Sequence, residues 1–213
     1  MGGRDYLTAA SAHPDRLATG VLLELVMAVA VLSIAVVIYP VLRRGTERLA
    51  MGYVVARSLE AVVYIVGATG LLILITVSEK YVAANDHAAF AALGQLIRAE
   101  RDWAGHAILD AAVFSVGALV LNAAFLPVPS RPRWLSLLGL AGAAAYLAAG
   151  LLVMHGLQPL STPQVVLEVP LGLQEIALAL WLIVKGFSSV GEAPAMVVGG
   201  AGDQRKPSPR VPA

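Results

Sequence analysis

The stretch VLLELVMAVAVLSIAVVIYPVLRR, residues 21–44, decides the fold. Its first 22 residues carry one formal charge, Glu24, and a pair of arginines closes the run. As a helix it is about 33 Å long at 1.5 Å per residue, close to the roughly 30 Å of bilayer hydrocarbon. Lipid offers no partner for backbone N–H and C=O groups, so a spanning segment must be a helix or part of a closed barrel. Barrel strands need only about ten residues, so a run this long reads as a transmembrane helix. Outward from it, four more windows share this character: Tyr53–Ser78, Ala104–Leu126, Trp134–Met154 and Val165–Lys185. The expected fold is therefore all-α, a polytopic transmembrane bundle of five spanning helices.

Composition agrees. The 213 residues are 58% hydrophobic, above the roughly 45–50% of soluble domains, and mean hydropathy is +0.77. Net charge is +1, from 15 basic and 14 acidic residues, which gives no basic surplus to attract nucleic acid. The absence of cysteine excludes disulfides, thiolate metal sites, iron–sulfur clusters and a catalytic thiol. No HExxH, GxSxG, P-loop or dinucleotide fingerprint occurs. No cofactor is expected; His106 and His155 both fall at outer helix ends, which gives only weak support to a haem at the outer surface.

The expected organisation is an extracytoplasmic segment over residues 1–20, the helical domain over 21–187 and a disordered cytoplasmic tail over 188–213. The start, MGGRDYLTAASAHPDR, lacks the basic-then-apolar layout of a secretory signal, so no cleavage is expected. The tail carries Pro194, Pro207, Pro209 and Pro212 without hydrophobic periodicity. Basic residues set orientation. Nine of them (Arg43, Arg44, Arg48, Arg131, Arg133, Lys185, Arg205, Lys206 and Arg210) fall on one side, against five (Arg4, Arg16, Lys80, Arg98 and Arg101) on the other. That bias puts the N-terminus outside and the C-terminus in the cytoplasm of a multi-pass protein of the inner, or plasma, membrane. Between Tyr81 and Trp103, Phe90, Leu93, Leu96 and Ile97 recur at helical spacing, which predicts an amphipathic helix on the outer side. Gly139 and Ala143 form a small-xxx-small step suited to close packing inside the bundle.

Six ionisable residues lie within the expected spans: Glu24, Arg57, Glu60, Asp110, Glu168 and Glu175. Each costs at least a few kcal/mol unless paired or hydrated, which makes each a functional candidate. Tyr53, Arg57, Glu60, Tyr64 and Gly67 follow i, i+4, i+7, i+11, i+14, one polar stripe on one helix face. Arg57 and Glu60 can pair at i, i+3, and Arg57 can also reach Glu175. His106 and Asp110 share a face at i, i+4 and are the candidates for a metal or a proton relay, but two groups are too few to make a metal site. Five membrane carboxylates face one membrane arginine, so some must be protonated, hydrated or bound to a cation.

Three readings follow. The first is a protein that binds or transports a small molecule, lipid or ion through a polar outer-half cavity lined by Glu24, Arg57, Glu60, Asp110 and Glu175. The second is a structural or accessory membrane subunit in which Arg57 fixes packing. The third is an intramembrane enzyme using His106 and Asp110, which ranks below the other two.

Read as strings, LLELVMAVAVLSIAVVIYPVLRR at 22–44, AMGYVVARSLEAVVYIVGATGLL at 50–72, PRWLSLLGLAGA at 132–143 and PLGLQEIALALWLIVKGF at 170–187 resemble a bacterial integral membrane family, domain-of-unknown-function 4386. The combination of YPVLRR, ARSLE and LWLIVKGF carries the resemblance. It implies a polytopic helical membrane protein without an assigned activity. The family's recurring polar positions match Glu24, Arg57, Glu60 and Glu175, and its members usually have one further helix ahead of the segment that here begins at Met1. Ser115, in FSVGAL, stands where the family would have glycine.

Overall fold

A computed structural model describes residues 5–127 and 133–185. Among them are six helices and no strand: α1 (Asp5–Ala12), α2 (Pro14–Leu42), α3 (Glu47–Ala83), α4 (Ala88–Phe125), α5 (Arg133–Met154) and α6 (Thr162–Lys185). The last five are long and apolar enough to cross a membrane. The chain is thus a multi-pass helical membrane protein, as expected. The tail over 188–213 lies outside the described residues.

Three boundaries differ from the expected ones for local reasons. α2 begins at Pro14, not Val21, because proline fits the first helical position and Asp15 sits in the first turn, favourably placed against the helix dipole. The segment over 1–20 is therefore largely helical. α3 has 37 residues, about 55 Å at 1.5 Å per residue, and outruns the hydrocarbon. The amphipathic helix exists, but as the first four turns of α4: no proline interrupts the chain near Trp103, and the helix runs through Gly105 into the spanning segment.

α3 and α4 consequently form a hairpin that projects beyond the other spans at the turn over residues 84–87. α1 lies against this projection, with Leu7 fully buried among Leu74, Val77 and Tyr81, and Arg98 over the Tyr6 ring at 4.9 Å. Phe90 and Ile97 join that cluster, whereas Leu93 and Leu96 stay exposed. The apolar stripe read from sequence therefore divides between α1 and the outside.

Each spanning helix packs along the next in the chain, α2 on α3, α3 on α4, α4 on α5 and α5 on α6. All five converge near the opposite end, where Ile38, Tyr53, Phe125, Leu135 and Leu178 share one cluster. Outward faces are apolar: on α2, Leu22, Leu23, Val26, Val29 and Val37 are each more than 60% exposed, as a lipid-facing surface requires. Trp103 and Trp134 are exposed where α4 and α5 enter the spanning layer from its opposite ends, as an aromatic belt would be.

The middle of α4, Ala104–Phe114, is π-helical. Its wider turn brings the Ser115 hydroxyl onto the Asp110 carbonyl, five residues back. Such stretches are rare and concentrate at functional sites. On α5, glycines admit neighbours at backbone distance. A Cβ on Gly142 would stand 3.0 Å from the Leu171 backbone, and one on Gly150 would stand 2.5 Å from the Ala111 backbone nitrogen. Gly139 lies against Asn122 and Ala143 is fully buried, so the small-residue step serves packing within the bundle.

Gly150→Ala should destabilise by about 1–3 kcal/mol through overpacking against rigid backbone. Gly172→Ala, where a Cβ meets nothing within 4 Å, should be neutral or stabilising by up to about 1 kcal/mol from helix propensity. Thermal unfolding of the two variants in detergent measures the contrast, and equal midpoints would contradict the packing described for α5.

Candidate functional site: a polar column between α3, α4, α5 and α6

Arg57 is the centre of the lower part. It is 7% exposed, and its Nη1 meets Glu60 Oε2 at 2.5 Å one turn along α3. Its Nε donates to the Tyr53 hydroxyl at 2.9 Å, and its Nη2 reaches Glu175 Oε1 on α6 at 3.5 Å. The Tyr53 and Phe114 rings flank the guanidinium at 5.2 and 5.3 Å, so its faces as well as its edges are engaged. The Tyr64 hydroxyl donates to Glu60 Oε1 at 3.4 Å. The stripe Tyr53, Arg57, Glu60, Tyr64 faces inward as its spacing predicts.

Glu175 reaches α3 across a gap. α6 packs chiefly on α5, and side chains rather than close backbone contact join it to α3. Next to Glu175 in the chain, Gln174 donates to Asn122 Oδ1 at 3.1 Å, and both residues are buried.

Above Arg57 lies a second group without a cation. Gln164, fully buried near the start of α6, donates through Nε2 to Glu168 Oε1 at 2.7 Å and to Asp110 Oδ2 at 3.2 Å. The same nitrogen stands 3.5 Å from His106 Nδ1. Its Oε1 accepts the Leu160 N–H at 2.6 Å, tying the loop ahead of α6 to the acids. Leu160 itself is left-handed, with φ 59°, and exposed. Tyr146 on α5 stands beside Asp110, its ring 5.0 Å from Phe114. Asp110 and Glu168 thus share one neutral amide, and among the described residues neither makes a salt bridge.

Glu24 does not join the column. It pairs with Arg101 Nη2 at 2.7 Å, while Arg101 Nη1 donates to the Gly67 carbonyl at 2.7 Å. These groups border a cavity of about 190 Å³ between α2, α3 and α4. Arg101, assigned from sequence to an outer loop, is a bundle residue because α4 starts so early. That revises the charge balance: two arginines serve Glu24, Glu60 and Glu175, so of the five carboxylates expected within the spans only Asp110 and Glu168 are left without a cation.

The structure therefore brings Arg57, Glu60 and Glu175 together, sets Asp110 in a neighbouring group with His106, and separates Glu24. Among the described residues no three histidine, aspartate or glutamate side chains converge as metal ligands. Gln164, Gln174, Asn122 and Tyr146 were passed over as site residues. Their signal in the sequence was simply a polar side chain within an apolar window. The arrangement can hold a proton or a small cation on the Asp110–Glu168 pair, with Gln164 as a donor that must turn aside when a cation arrives.

Arg57→Met strands Glu60 and Glu175 and should cost about 3–5 kcal/mol, whereas the triple change Arg57→Met, Glu60→Met, Glu175→Met should recover most of that loss. Equilibrium unfolding in mixed micelles compares them. A triple variant no more stable than Arg57→Met would show that the charges do more than compensate one another.

Neither a curated protein nor a solved structure matches the chain. A family model, described as Domain of unknown function (DUF4386), matches residues 2–186, which span the whole described bundle. The chain belongs to that family, domain of unknown function 4386.

Proposed function

We propose that this is a bacterial plasma-membrane protein that binds a small cation or cationic small molecule in the polar column, with Asp110 and Glu168 as the anionic end of the site. One observation carries the reading. Two carboxyl groups from two membrane spans share the Gln164 amide, and no arginine or lysine among the described residues pairs with them. Like charges so placed repel, and an ionised carboxylate in a low-dielectric interior is costly without a counter-charge. A bound proton or cation removes that cost. Glu168 and Glu175 are half-buried on the α6 flank that looks toward α3, so the gap bridged by Arg57 offers an approach.

The orientation proposed from the basic residues puts this acid pair in the outer half, with the N-terminus outside. Asp110 and Gln164 lie nearer the turn over residues 84–87 than Arg57 does, and the excess of arginine and lysine lies at the other end.

An accessory, packing role is the second reading, and the Arg57 clasp between α3 and α6 favours it. A side chain bonded to Tyr53, Glu60 and Glu175 and enclosed by two rings has little freedom left for a ligand. The two readings assign different parts of the column, and the acid pair separates them.

Dicyclohexylcarbodiimide, an apolar reagent for carboxyl groups inside membranes, should modify Asp110 or Glu168, and sodium should slow the modification. Peptide mass spectrometry of the wild type, Asp110→Asn and Glu168→Gln reads the site. Modification that no added cation slows would leave the packing role standing alone. Orientation has its own check: the chain has no cysteine, so Arg44→Cys and Gln95→Cys are single-thiol variants. An impermeant maleimide on intact cells should label only the second.

A further inference from the structure

A separate groove lies on the lipid-facing side of the α3–α4 hairpin, away from the column. It encloses about 420 Å³ and is walled by Ile65, Val66 and Ile73 of α3 and Leu96 and Ile97 of α4. Glu100 is its one ionisable lining residue. Both Glu100 carboxylate oxygens are shielded from water and, among the described residues, have no hydrogen-bond partner. The carboxylate rests against Gly70, where a Cβ would stand 2.9 Å from Oε2, so the missing side chain is what makes room for it.

Depth identifies what reaches such a group. Glu100 is one helical turn before Trp103, whose half-exposed indole marks the headgroup level of the membrane. The groove runs from Leu96 and Ile97 beyond that level to Ile65 and Val66 within the spanning layer. Its occupant must therefore be apolar along most of its length and positively charged at the interface. We infer that the groove binds a membrane phospholipid with an ammonium headgroup, its acyl chain along Ile65 and Val66 and its ammonium on Glu100. The carboxylate is the free end of a flexible side chain, and rotation about its own bonds turns it from Gly70 into the groove. Arg101 does not compete for the position, since its guanidinium is held by Glu24 and the Gly67 carbonyl. The inference is independent of the cation site in the column.

The test is lipid retention by the full chain, extracted from nanodiscs of equimolar phosphatidylethanolamine and phosphatidylglycerol and analysed by native mass spectrometry. A charge-assisted contact corresponds to about tenfold preference for the ethanolamine lipid in the wild type. Glu100→Gln should bring the ratio to parity, and Glu100→Asp should retain most of it. Phosphatidylcholine, which keeps the charge but has no N–H to donate, should fall between the two. Equal retention of the two lipids by the wild type would overturn the assignment without recourse to any variant. An unchanged preference in Glu100→Gln would overturn it as well.

Discussion

The Arg57 guanidinium is the constraint on which the bundle depends. Inside hydrocarbon a charge must be answered by another group, and Arg57 answers two carboxylates while drawing a hydroxyl and two aromatic rings around itself. The pair with Glu60 is local and asks nothing of the fold. The contact with Glu175 asks a great deal, because α6 otherwise packs chiefly on α5. Breaking one partner of such a set is expensive, whereas the intact set contributes modest net stability. Its larger effect is geometric: it fixes how far α6 stands from α3, and so the width of the space in which Asp110 and Glu168 meet.

Around that clasp the column is graded. At one end Gln174 and Asn122 form a neutral amide pair. In the middle the arginine neutralises two acids. At the other end two acids share Gln164, whose oxygen in turn holds the backbone of a surface loop through Leu160. Polarity thus increases, and compensation decreases, toward the protruding end of the α3–α4 hairpin. The π-helical turn of α4 sits at the same level and presents Asp110 to α6. The unsatisfied chemistry and the irregular backbone coincide, which is the usual position of a functional site within an otherwise regular scaffold.

Much of this was legible in the sequence. The 22-residue run from Val21 to Leu42 and its four counterparts define the spans, because hydrocarbon thickness dictates length and charge exclusion dictates composition. The face carrying Tyr53, Arg57, Glu60 and Tyr64 followed from helical spacing alone, and Glu175 from its depth. Arg101 was misplaced because hydropathy marks where a helix enters lipid, not where it begins, and α4 begins four turns earlier. Its pairing with Glu24 was therefore invisible. The central role of Gln164 was not legible for a different reason. An uncharged amide at the edge of an apolar window has no distinctive pattern, and its importance comes from Asp110 and His106, brought by a helix far away in the chain to the nitrogen that already holds Glu168 one turn on.

The order in which helices pack bears on how the protein is made. Because each span rests on its immediate predecessor, most tertiary contacts can form as segments leave the ribosome, without waiting for distant ones. α3 can enter lipid early because Arg57 carries its counter-charge one turn away on the same helix. α6 arrives last with Glu168 and Glu175, and until it docks Glu175 has no arginine to meet and Glu168 has no contact with Asp110's side of the column. The final step of assembly is thus the one that delivers acids to the interior, and the site is completed only when the whole bundle is.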